Sequence, residues 1–240
     1  MTSTRIVAVT LGFAVALVLG GSAAWGLAAS VTLNSQALTP YRTCTVTATP
    51  SSTTAVIDAV VRQATPTTNL GTATTTETSS ANAANRRVYI KFDLSGCSPA
   101  IPSAANVRAA TLRLYMSALP AACRTLDIFR VTSSWTEAGI TWNTQPFGTT
   151  LNNPATASRT DSFDVGSVTG CQNLAAGYVA GADVTTDVAA FVAGSATNNG
   201  WMIRDDVENS ATTRTATFSA KNLGTLAQAP QLIVTYTVAP

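Results

Sequence analysis

The chain has 240 residues, only 11% of them charged, and a formal net charge of +2. An ordinary soluble domain carries roughly a quarter charged residues; here Thr, Ala, Ser, Val and Asn fill the deficit, and no basic stripe of the kind that displaces counterions from nucleic acid is present. With no His at all, a Ser-His-Asp or Cys-His nucleophile pair, a two-His zinc protease motif and a His-ligated zinc site are excluded.

In chain order, Arg5 precedes an apolar run from Ile6 to Leu19 and small residues through Ala24. A positive start, an apolar stretch and a small-residue exit describe a secretory signal peptide, residues 1–28, cleaved after Ala24 or Ala28. If Gly20 to Ala29 is counted in, the stretch nears the roughly 20 residues that span a bilayer, so an uncleaved N-terminal anchor is the alternative. Either way the remaining chain is expected outside the membrane, secreted or held at the cell surface. Residues 29–54, rich in Ser and Thr with Pro40 and Pro50, read as a connecting arm. Cys44, Cys97, Cys123 and Cys171 lack the short paired spacing of a metal knuckle; in an oxidising compartment they read as two disulfides, with all three connectivities open.

From Ala55 to the C-terminus the pattern is short strands between turn residues. Val56–Val61 is rich in β-branched residues, and Thr72–Thr76 reads as a short Thr-rich edge strand. In Arg87–Leu94, residues Val88, Ile90, Phe92 and Leu94 share one face and Arg87, Tyr89, Lys91 and Asp93 the other. Ala109–Met116 repeats this with Leu112 and Leu114 opposite Arg113 and Tyr115. Leu126–Val131, Gly177–Val184, Trp201–Asp205, Arg214–Ser219 and Gln231–Val238 complete the strands. Val188, Phe191 and Val192 are spaced for one face of a short helix, capped by Thr186, with Asp187 at its positive end and Gly194 ending it. The expected architecture is an all-β antiparallel sandwich, residues 55–240, with one short helix plugging an end and a signal or anchor helix before it.

Three segments stand out: Arg87–Leu94; Trp135-Thr136-Glu137-Ala138-Gly139-Ile140-Thr141-Trp142-Asn143-Thr144-Gln145-Pro146; and Asn198–Arg204 leading through Ala216–Lys221 to Ala229–Tyr236. In this order they resemble the DNRLRE family of carbohydrate-binding-module-like domains of secreted proteins. Asp58 through Pro66, Asn69 and Gly71 are similar to that family's opening strand and turn. The resemblance implies a jelly-roll sandwich that binds polysaccharide or cell-wall glycan without catalysis; a structural or adhesive cell-surface role is the alternative.

Arg87, Tyr89, Lys91, Arg113 and Tyr115 are the candidate ligand surface, since polar strand faces with Arg and Tyr suit an acidic polysaccharide. Trp135 and Trp142 admit two placements: buried in the core, which their setting favours, or one indole exposed as a platform for sugar CH groups. Asp205, Asp206 and Glu208 form the densest oxygen cluster, a candidate structural calcium site or an ordinary solvated turn. The same carboxylates are the one credible place for glycosidase chemistry, which adjacent Asp205 and Asp206, pointing to opposite faces, argue against.

Overall fold

The computed structural model describes residues 40–49, 53–179 and 181–238. The expected leader and the first part of the arm lie outside these residues. Thirteen strands are formed among the described residues: β1 (Tyr41–Thr47), β2 (Val56–Arg62), β3 (Thr75–Ser80), β4 (Arg86–Phe92), β5 (Val107–Arg113), β6 (Tyr115–Ala118), β7 (Arg124–Arg130), β8 (Asp161–Val165), β9 (Gly177–Tyr178), β10 (Ala182–Asp183), β11 (Trp201–Asp205), β12 (Arg214–Ser219) and β13 (Gln231–Thr237). All paired strands run antiparallel. A small sheet has the order β1-β13-β5-β10; a large one has the order β8-β7-β11-β4-β3-β12-β6-β9, with β2 also paired to β4.

The sandwich is therefore as expected, with differences in detail. Part of the arm is strand β1, paired along its whole length with β13. Its residues are mostly exposed, so little apolar alternation marks it in the sequence. β3 begins later than expected, at Thr75, and pairs along its length with β12 instead of forming an edge. The run Ala109–Met116 divides at Leu114, where the chain leaves the small sheet for the large one. Leu114 stays buried at that corner. The run Gly177–Val184 divides likewise into β9 and β10, and β8 was not expected as a strand.

Between the sheets lie Val88, Ile90, Phe92, Leu112, Leu126, Ile128, Trp201, Val234 and Tyr236, the inward halves of alternating strands. Helix α1 (Thr185–Ala193) closes one end, with Val188 buried and the Phe191 ring 5.5 Å from Trp201. Its first free N–H, that of Thr185, is bonded by the Asp183 carboxylate at 2.9 Å, so Asp183 takes the capping part expected of Thr186. Gly194, at φ +69°, ends the helix in the left-handed conformation that suits glycine. The cysteines pair as Cys44–Cys97 and Cys123–Cys171, the first tying edge strand β1 to the loop after β4.

Candidate functional site

The outer face of β4 corrects the first expectation. Alternation places Arg87, Tyr89 and Lys91 away from the main core, yet Arg87 and Tyr89 have no exposed surface. Residues 132–160 fold over this side of the large sheet and build a second core from Ala59, Val61, Tyr89, Phe129, Trp135, Ile140, Trp142 and Met202. Both tryptophans are thus interior. Trp135 packs edge-on against Tyr89 at 5.7 Å, and its indole N–H donates to the Asn199 carbonyl at 2.8 Å. Neither indole is a platform for a sugar.

Arg87 is the hub of this layer. Its Nε and Nη2 donate to the two oxygens of Glu208 at 2.7 and 2.8 Å. The other N–H groups reach Gln145 Oε1, the Gly148 carbonyl and the Thr150 carbonyl, which satisfies all five donors. The guanidinium lies 4.8 Å from the Trp142 ring centroid, and Tyr89 Oη donates to the same Gln145 oxygen at 3.0 Å. Burial raises the Tyr89 phenol well above its ordinary range. Arg87 and Tyr89 hold the covering loop and are unavailable to a ligand. Lys91 is half-buried, with its ammonium 5.6 Å from the Trp135 ring.

The carboxylates expected to hold calcium are also committed. Glu208 faces Arg87 and accepts from the Asn152 N–H at 2.6 Å. Asp205 is bonded in a fork by Arg124, which also reaches Asp206 at 2.9 Å. Burial pushes the Asp205 carboxyl up, opposed by Arg124. Calcium takes six to eight oxygens; here the three carboxylates divide between two guanidinium groups, so the cluster does not fit the ion. Asp205 and Glu208 are the buried acidic partners of Arg124 and Arg87, while Asp206 pairs with Arg124 from a partly exposed bend.

The segment around Glu137 is clamped by residues of the opening strand and turn. Asn69 Nδ2 donates to the carbonyls of Glu137 and Ile140 at 2.7 and 2.8 Å. Gly71 packs so closely that an added Cβ would lie 2.6 Å from Glu137 Cγ. Asp58 accepts from the Lys221 N–H at 2.9 Å, and Lys221 Nζ lies 2.9 Å from Glu137. Burial pushes the Asp58 carboxyl up to about 7, offset in part by that backbone bond and reinforced by Glu137.

The remaining pair, Arg113 and Tyr115, does lie on the surface. Gly181 lets the chain approach the Arg113 stem, and Tyr115 sits directly across from Tyr178 in the β6–β9 pair. The two tyrosine rings meet edge to face at 5.4 Å, and the Arg113 guanidinium lies 4.7 Å from the Tyr178 centroid. The Tyr178 hydroxyl is 2.9 Å from the carbonyls of both Ala227 and Ala229, which fixes its ring. Arg113 has no carboxylate partner among the described residues, unlike Arg62, Arg86, Arg87, Arg124, Arg130 and Arg159. The result is a half-buried patch whose guanidinium fork has no carboxylate partner among the described residues. Tyr178 was not among the sequence candidates; its partner Tyr115 lies far away in the chain, and register between distant strands is not readable from one sequence. Lys91 does not join this patch: it lies on β4, and β3 and β12 separate that strand from β6 and β9, which carry Tyr115 and Tyr178 in the same sheet.

The outer face of the large sheet is thus covered around β4, β7 and β11, while Arg113, Tyr115 and Tyr178 lie outside that cover and keep part of their surface. No curated protein matches the chain. A family model, carbohydrate-binding module family 96, matches residues 49–236, which takes in every strand from β2 to β12, nearly all of β13, and the segment that covers β4, and leaves out β1. The chain belongs to carbohydrate-binding module family 96.

Proposed function

We propose that this chain is a secreted, non-catalytic module that binds a carboxylate-bearing polysaccharide at Arg113, Tyr115 and Tyr178. The observation behind this reading is the unpaired Arg113 fork stacked on a ring that is itself held by two carbonyls. A guanidinium engages a carboxylate with two parallel bonds, and adjacent aromatic surface covers sugar CH groups. Little side-chain freedom is left to lose on binding. The likeness to DNRLRE domains supports the same reading. So does the fate of Asp205 and Glu208: the carboxylates that hydrolysis would need are buried against Arg124 and Arg87. Two disulfides favour an exported chain, since such bonds persist in oxidising compartments. Anchorage by an uncleaved leader is the alternative route to the same surface.

Affinity electrophoresis in gels containing a polyuronate tests the proposal. Retardation of the wild type is expected, with loss in Tyr115→Ala and in Arg113→Met. Equal retardation of all three would reject this patch. No retardation by any glycan would move the reading to a structural or adhesive surface component.

A further inference from the structure

We propose that a second site, separate from the Arg113 patch, lies in the cleft between residues 147–160 and the first turn of α1, and that it takes an uncharged sugar through its vicinal hydroxyls. The cleft encloses about 620 Å³ and is lined in part by Arg130, Phe147, Arg159, Asp161, Asp183 and Asp187. That volume falls within the range of small-molecule pockets.

The walls are built before any ligand arrives. Asp187, buried at the floor, accepts from Trp201 Nε1 at 2.9 Å, Thr160 Oγ1 at 2.7 Å and Arg130 Nη1 at 3.1 Å. The loop wall is fixed by Asn153 Nδ2 donating to the Phe147 carbonyl, Arg204 Nη2 to the Pro154 carbonyl and the Thr160 N–H to the Ile128 carbonyl. Phe147 packs edge-on against Phe129 at 6.4 Å and presents apolar surface to the cleft.

What the walls leave unspent decides the ligand class. Arg130 and Arg159 each commit only one terminal nitrogen to a carboxylate, Asp187 and Asp127 respectively. Asp161 uses Oδ2 to accept from the Asp183 N–H, and Asp183 uses Oδ1 on Thr185; their other oxygens have no hydrogen-bond partner among the described residues. Thr132 and Thr186 add hydroxyls. Donor and acceptor groups thus alternate around one hollow with a ring at its side. A sugar hydroxyl both donates and accepts, so a vicinal pair matches guanidinium and carboxylate together. Three carboxylates against two guanidiniums leave the hollow unfavourable to an anionic sugar, the opposite bias to the Arg113 patch.

The test is amide chemical-shift mapping of the full mature chain titrated with cellobiose, mannobiose and xylobiose, and separately with a diuronate. Saturable shifts at Thr132, Arg159, Thr160 and Thr186 are expected with at least one neutral disaccharide and not with the diuronate. Arg159→Met and Asp161→Asn should each weaken that binding about five- to tenfold, the worth of one charge-assisted bond. Tyr115→Ala should leave it unchanged, so failure of the Arg113 patch and failure of the cleft are separable. An absence of cleft shifts with all three neutral sugars overturns the proposal, as does equal binding of the diuronate there or undiminished binding in both cleft variants with native-like spectra.

Discussion

Replacing Arg87 by Met isolates the ion pair on which the second core depends. The change keeps the length and apolar character of the stem but removes five hydrogen bonds. Glu208 would keep only the Asn152 N–H, and the carbonyls of Gly148 and Thr150 would lose their donor. Both members of the pair have no exposed side-chain surface. Removing one partner of such a pair strands a buried charge and costs about 3–5 kcal/mol. A domain of this kind is stable by about 5–15 kcal/mol, so a large share of the total would go. Urea unfolding of the oxidised protein, followed by tryptophan fluorescence, should show the loss as a lowered midpoint at unchanged slope, because Trp135 and Trp142 report on this layer. Arg87→Met combined with Glu208→Leu should recover much of the loss, since no charge is then stranded. A single variant within about 1 kcal/mol of wild type, where mutations at unremarkable sites fall, would refute the reasoning. So would a double variant less stable than the single.

Asp58 gives a pH signature. Its folded-state value of about 7 lies above the 3.8 of an ordinary Asp, so the folded chain holds a proton that the unfolded chain releases. Its contribution is fully present below about pH 4 and is lost as pH rises through 7; Asp58→Asn should flatten that decline in unfolding titrations, and an unchanged profile would count against it. Removing Cys44–Cys97 or Cys123–Cys171, with separations of 53 and 48 residues, should lower stability by about 4 kcal/mol each in the chain-entropy model, read from denaturation of the double-serine variants. Asn69→Ala strands the carbonyls of Glu137 and Ile140 and should cost about 2 kcal/mol, with faster amide exchange confined to the covering loop.

Strands with one apolar face were legible: Trp201–Asp205 and Arg214–Ser219 coincide with β11 and β12 to the residue. The helix end at Gly194 was equally plain, because glycine there meets a specific backbone need. What alternation could not reveal was that β4 is covered on both sides. A fully bonded interior Arg87 and a solvated one read alike in sequence, and the partner that settles the matter, Glu208, lies at a distant turn. The same blindness made Asp205, Asp206 and Glu208 look like a free oxygen cluster, when Arg124 and Arg87 take them up. The arm concealed β1 because a mostly exposed edge strand has little apolar period to show. Arg113 and Tyr115 keep part of their surface where Arg87 and Tyr89 keep none, and Tyr178 meets Tyr115 through strand pairing that one sequence does not show.

Calorimetric titration of the protein and its Arg113→Met variant with a uronic acid oligosaccharide tests the central claim most directly. The account predicts that the variant, folded as wild type, binds at least about tenfold more weakly, as loss of a bidentate charge-assisted contact requires. It also predicts that wild-type affinity falls with added salt. Equal affinities for the two proteins, or a product of bond cleavage in the titration cell, would contradict it.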